Sequence, residues 1–226
     1  MEEFINICRF SQEELKEYVY GRLKKTHTDV RKGDGYVLAK GSFPVLLVAH
    51  IDTVHKSLPE EIIVYDSLGI ITSPQGIGGD DRCGVYMIFE VLKKYNCSVL
   101  FCEDEELHGV GSGKYVLSKD AEAPFFNYII EFDRKGCYDA VFYACENQRF
   151  IDFITKEHYT KGKGTFTDIC VLSPHFDRAS VNLSSGYYRA HSTREYVVWQ
   201  DMVKNIVQAC RILAETSEKD VFYFSE

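Results

Sequence analysis

Nowhere in these 226 residues does an apolar run approach the roughly 20 needed to cross a bilayer, so no membrane partner is expected. The start, Met1-Glu2-Glu3-Phe4, lacks the basic-then-apolar order of a signal peptide, which points to a cytoplasmic protein. No C-x-x-C pair occurs. The eight cysteines (Cys8, Cys83, Cys97, Cys102, Cys137, Cys145, Cys170 and Cys210) are scattered, several in apolar strings. They read as buried free thiols rather than a zinc knuckle or disulfide framework. Proline is scarce at 5 residues and glycine stands at 16, which excludes collagen-like and low-complexity chains. There is no Lys/Arg cluster, and 26 basic residues against 34 acids leave a net charge of −8. Such a chain grips phosphate backbones poorly, so no nucleic-acid partner is expected. The excess acids either form a solvated surface or converge to hold cations.

What is present is an ordinary globular composition, 45% hydrophobic and 27% charged, in a chain long enough for a substantial core. Ser11-Gln12-Glu13-Glu14 reads as a capping box, and Leu15, Val19 and Leu23 then recur on one helical face. Val45–Ala49, Ser98–Cys102 and Tyr128–Phe132 are short continuous apolar runs, as in strands buried on both faces. Gly84–Tyr95 between the first two suits a buried helix. Val203, Ile206, Val207, Cys210 and Leu213 predict a helical stripe near the end, and Thr160–Thr165 an exposed loop. Strands alternating with helices predict an α/β fold, a mostly parallel central sheet flanked by helices on both faces.

Each apolar run delivers polar residues at its end. Val45–Ala49 leads to His50-Ile51-Asp52, Val99–Cys102 to Glu103-Asp104-Glu105-Glu106, and Tyr128–Phe132 to Asp133. In an open parallel sheet, ligands bind outside the carboxyl ends of the strands. Gly78-Gly79-Asp80-Asp81 and His191 are placed to join them. Carboxylates so crowded repel one another, and a pair of divalent cations relieves this. His and carboxylate donors without thiolates suit zinc, cobalt or manganese, with one carboxylate bridging two ions.

Five motifs in order over roughly residues 40–200 carry a family resemblance: Ala49-His50-Ile51-Asp52-Thr53-Val54; Gly78-Gly79-Asp80-Asp81-Arg82-Cys83-Gly84; Glu105-Glu106; Glu131-Phe132-Asp133; and Tyr188-Arg189-Ala190-His191-Ser192 followed by Glu195. The chain resembles the co-catalytic dimetal exopeptidases, the superfamily of zinc aminopeptidases, peptidase T-like tripeptidases and related carboxypeptidases. The resemblance implies that Asp80 bridges two metals, that His50 and Asp133 complete one site, and that Glu106 and His191 complete the other. It makes Glu105 the general acid/base toward a water between the metals and Asp52 the acceptor of the His50 N–H. It also implies a cis Asp80–Asp81 peptide. Arg189, Tyr187 and Tyr188 are candidates for substrate contact, Arg189 for a substrate carboxylate; core packing or surface pairing is an equal reading of all three. Each motif has a plainer reading: a helix cap at Asp80-Asp81, a solvated charge run at 103–106, a core histidine at His50, a loop histidine at His191. Within 103–106 the pair followed by Gly109 and Gly111 selects Glu105/Glu106. His55 and His108 read as bystanders, and His27, His158 and His175 as surface residues.

Only 57 residues separate Asp133 from His191, and 29 separate His50 from Asp80. Relatives insert a lid or dimerisation domain at one of these places, so a single catalytic domain over 1–226 without such an insert is expected, and the usual oligomer is not assumed, though a homo-oligomer is possible. The resemblance implies a metal-dependent exopeptidase on short peptides, an aminopeptidase first. A dipeptidase, carboxypeptidase or N-acyl amino acid deacylase fits the same two-zinc site, and a non-enzymatic metal-binding module is the alternative of another class.

Overall fold

The computed structural model describes residues 1–217 and 219–224. Strands run β1 (Asp29–Gly33), β2 (Tyr36–Lys40), β3 (Phe43–His50), β4 (Ile63–Tyr65), β5 (Ile70–Thr72), β6 (Cys97–Cys102), β7 (Tyr128–Arg134), β8 (Asp139–Val141), β9 (Thr160–Lys161), β10 (Ser180–Ser184), β11 (Tyr187–Tyr188) and β12 (Tyr196–Val198). Helices run α1 (Glu2–Cys8), α2 (Gln12–Leu23), α3 (Gly79–Leu92), α4 (Val110–Leu117), α5 (Gln148–Thr155), α6 (Ile169–Phe176) and α7 (Trp199–Ala214).

The eight-stranded sheet has the order β1-β2-β6-β3-β7-β10-β8-β9. Its centre, β6-β3-β7-β10, is parallel, while β1, β2 and β8 join it antiparallel. The parallel strands read as unbroken apolar runs because both of their faces are covered. Along β3, Val45, Leu47 and Ala49 face one core with α1, α2, α3, α5 and α7; Leu46 and Val48 face the other with α4 and α6. Burying a leucine in this way contributes about 1.5–3 kcal/mol. The result is the expected three-layer α/β fold. A second sheet, β11-β12-β5-β4, is antiparallel throughout and packs on α3.

Local signals account for the element starts. The Ser11 hydroxyl accepts the Glu14 N–H at 3.2 Å while the Glu14 carboxylate accepts the Ser11 N–H at 2.8 Å, the reciprocal cap that opens α2. Leu15, Val19 and Leu23 are all buried. The eight cysteines are free thiols. Three expectations shift. Thr160–Lys161, read as the start of an exposed loop, forms the exposed edge strand β9 beside β8, and only the residues after it are loop. In α7 the inward residues are Met202, Asn205, Gln208, Ala209, Ile212 and Leu213, and Val203 and Val207 lie exposed. Buried Asn205 accepts the Tyr159 hydroxyl at 2.9 Å, and Gln208 donates to the Glu157 carbonyl at 2.7 Å, so polar side chains with partners displace valines from the core. His27 is buried rather than on the surface, its Nε2 2.9 Å from the Cys97 carbonyl oxygen. Among the described residues no helix is long and apolar enough to cross a membrane.

Candidate metal centre and active site

Because β6, β3 and β7 run parallel, they deliver their C-terminal residues to one edge of the sheet. His50 ends β3 and pairs in register with Cys102, so the chain leaving β6 passes beside His50 before turning through Glu105 and Glu106. Asp133 stands near the end of β7. Asp80 comes from the first turn of α3, and His191 from the turn between β11 and β12. The Asp80–Asp81 peptide is cis. The two aspartates divide the readings of that motif. Asp81 caps the helix by accepting the Gly84 N–H at 2.9 Å, and Asp80 faces the site.

Asp52 organises one side. Its Oδ1 accepts from His50 Nδ1 at 3.0 Å and from the Glu105 N–H at 3.1 Å, and its Oδ2 accepts from the Glu106 N–H at 3.1 Å. One carboxylate thus fixes the imidazole tautomer and seats both glutamates. His50 Nε2 is left facing Asp80 Oδ1 at 3.1 Å and Asp133 Oδ1 at 3.6 Å. On the other side, His191 Nε2 lies 3.2 Å from Asp80 Oδ2 and 2.9 Å from Glu106 Oε1. Asp80 therefore turns one oxygen to each histidine. His50–Asp80–Asp133 and Asp80–Glu106–His191 are both close enough to hold an ion. Glu106 Oε1 is buried without a hydrogen-bond partner, although His191 is near it. Imidazole nitrogens and carboxylate oxygens converging on two points that share Asp80 are what a pair of divalent cations needs, so the donor set fits the group.

Neighbours fix the donors. Asp133 Oδ2 accepts the Thr167 hydroxyl at 2.8 Å and Oδ1 the Tyr187 hydroxyl at 3.2 Å. The Asn182 side chain replaces ladder bonds where the β7–β10 register shifts, accepting the Asp133 N–H and donating to its carbonyl, both at 2.8 Å. Buried Arg82 donates to the carbonyls of Ile51 at 2.5 Å, Asp52 at 3.3 Å and Phe10 at 3.1 Å, which holds the Asp52 segment in place. In the 103–106 run the outer pair faces away: Glu103 meets Lys16 at 2.5 Å, and Asp104 accepts from Gln12 at 3.0 Å.

The electrostatics follow from burial. Burial pushes the Glu105 carboxyl up to about 9, opposed by His50 and reinforced by Asp133 and Asp168. Burial, then the charge of Asp80, pushes Glu106 up to about 7. Asp133 is raised by burial and by Asp80. For Asp52 burial pushes upward, but the His50 bond and the two backbone N–H groups outweigh it and hold the carboxyl below its usual range. Asp80 is likewise lowered, with burial overcome by His191 and His50. Contact with Asp80 raises His191 to about 9.

The donors open on a pocket of about 630 Å³. Of the substrate candidates, Tyr187 and Arg189 line it. Tyr188 turns elsewhere, donating to Asp201 at 2.6 Å and stacking on Tyr196. His108 lines the pocket, whereas His55 meets buried Glu195 at 2.8 Å. Sequence reasoning passed over Asn182 and Lys135. Asn182 acts through a strand bulge that no sequence pattern marks. Lys135, an exposed cation at the pocket wall without a carboxylate partner among the described residues, looked like any surface lysine.

No protein-family model matches this sequence, and no curated protein matches it. Solved structures do. The aminopeptidase PepT from Bacillus cereus superposes with a TM-score of 0.76 at 14% identity, over 94% of this chain and 96% of that one. A tripeptidase from Staphylococcus aureus gives 0.72 at 12% identity, over 93% and 95%. The TET1 peptidase of Pyrococcus horikoshii, which can assemble into a tetrahedron or a large octahedral shell, gives 0.69 at 14% identity, over 95% and 98%. At such identities the likeness is one of fold. The chain has the fold of these exopeptidases.

Proposed function

We propose that this chain is a metal-dependent exopeptidase of the co-catalytic dimetal kind, acting on short peptides and most readily as an aminopeptidase. The observation that carries this reading is the pair of donor groups sharing Asp80, with Glu105 seated beside them by the same carboxylate that orients His50. His50, Asp80 and Asp133 would hold one divalent ion, and Asp80, Glu106 and His191 a second, zinc before cobalt or manganese. Such ions acidify water and polarise a scissile carbonyl.

The chain's own residues supply the rest. Asp52 keeps the His50 proton on Nδ1 and leaves Nε2 to face the donors. Glu105 is a buried carboxyl with a raised affinity for a proton, suited to take one from water and deliver it to the leaving amine. Thr167 and Tyr187 hold Asp133 in a single orientation. Arg189 and Lys135 stand at the pocket wall with no carboxylate partner among the described residues, which favours substrates bearing a carboxylate near the scissile bond. That feature keeps a dipeptidase, carboxypeptidase or N-acyl amino acid deacylase as the second reading. A purely metal-binding module has no use for a buried glutamate held next to the donors.

The test is a panel of di- and tripeptides with free or acetylated amino termini, offered to metal-free protein and to protein supplied with zinc, cobalt or manganese. Metal-dependent release of the amino-terminal residue from free peptides is expected. Cleavage of acetylated substrates alone would move the assignment to a deacylase or carboxypeptidase, and no cleavage with metal bound would overturn it.

A further inference from the structure

Glu195 belongs to neither donor group, yet its buried carboxylate joins the segments that carry them. Its Oε2 accepts the Gly78 N–H at 2.8 Å and lies 2.8 Å from His55 Nε2; its Oε1 accepts the Asp80 N–H at 3.0 Å. The residue closes the turn that carries His191: its own N–H donates to the Ser192 carbonyl at 3.0 Å, and its carbonyl accepts the Thr72 hydroxyl at 2.9 Å. The packing leaves no slack. A Cβ on Gly79 would lie 2.8 Å from both Tyr187 and Val197, and one on Gly76 (φ +93°) would lie 2.2 Å from the His55 ring. Three segments of different sequence origin, around residues 55, 78–80 and 191–195, therefore meet at one carboxylate.

We infer that Glu195 is the positioning residue of the second donor group, fixing the backbone of Asp80 relative to the turn of His191. The inference rests on the dimetal reading above. His50 stands on a strand whose ladder already fixes it, and the backbone of Asp133 is held on both sides by the Asn182 side chain. Asp80 and His191 stand on turns, and the His191 side chain is 56% exposed while that of Asp80 is 10% exposed. Those two need a tie, and Glu195 supplies it through both ends of one carboxylate. Glutamine cannot reproduce it. With its oxygen toward Asp80, its amide N–H₂ faces the Gly78 N–H, leaving a buried donor opposite a donor.

The experiment is stepwise zinc binding to metal-free protein by calorimetry, together with the thermal midpoint of the same metal-free samples, for the parent, Glu195→Gln and His55→Gln. The expected result is two ions in the parent. In Glu195→Gln the weaker step should fall on the order of tenfold to a hundredfold, as when partners behind metal ligands are removed, with the tighter step less affected. A purely structural role would lower the midpoint and leave the two affinities unchanged. His55→Gln, which removes only the outermost donor, should shift the same step less, and it decides the matter if Glu195→Gln does not fold. Two ions bound with parental affinities by the variants would overturn the inference and leave the dimetal reading standing. Failure of the parent to bind two ions would overturn that reading and this inference with it.

Discussion

Asp52 accepts three N–H groups, from His50, Glu105 and Glu106. Replacing it with alanine leaves the His50 ring free to rotate and both backbone N–H groups unpaired. Asp52→Ala should weaken zinc binding by about tenfold to a hundredfold, measured by chelator competition. This is also the scale at which the sequence was most legible. The motif residues His50, Asp80, Glu105, Glu106, Asp133 and His191 lie together, while Glu103 and Asp104 face Lys16 and Gln12. The helpers of Asp133 were not legible, because Thr167, Asn182 and Tyr187 come from three separate segments and become neighbours only in the folded sheet. Tyr188 shows the opposite error: proximity to His191 in sequence suggested the pocket, but the residue after Tyr187 in a strand points to the opposite face.

At the scale of elements, α3 has to lie close against β7 so that Asp80 and Asp133 face the same point. Gly84 permits that approach: a Cβ there would sit 2.5 Å from the Phe132 carbonyl oxygen and 2.4 Å from Asp81 Oδ2. Gly84→Ala should cost about 1–3 kcal/mol, read as a lower urea midpoint, and should weaken metal binding because it moves α3. The apolar runs of β3, β6 and β7 were readable because strands covered on both faces need no alternation. The face of α7 was not, since Asn205 and Gln208 are inside by virtue of Tyr159 and the Glu157 carbonyl, partners a local pattern does not contain. His27 is buried for the same reason, through the carbonyl of Cys97.

Across the whole molecule, the acidic excess acquires a location. Glu105 and Glu106 hold their protons to about 9 and about 7, above their unfolded values, and His191 to about 9. Each of these groups contributes stability that is present below its unfolded pKa and lost as pH rises through its folded pKa. Asp52 and Asp80 have the opposite sign, their contribution being lost as pH falls below the ordinary carboxylate range. Metal-free protein should therefore be most stable near pH 4–6 and lose thermal stability toward pH 9. On the dimetal reading divalent ions would replace the lost protons, so added zinc should raise the thermal midpoint more at pH 8 than at pH 5. An equal rise at both would contradict this assignment of charge.

The central claim is that donor groups and base are separate parts of one site, and Glu105→Gln tests it most directly. Glutamine keeps the size of the side chain and the backbone bond to Asp52 but cannot shuttle a proton. Measured together on the purified variant, zinc stoichiometry should remain at the parental value while peptide hydrolysis falls by about a hundredfold to ten-thousandfold. Hydrolysis at the parental rate with metal bound would contradict the account.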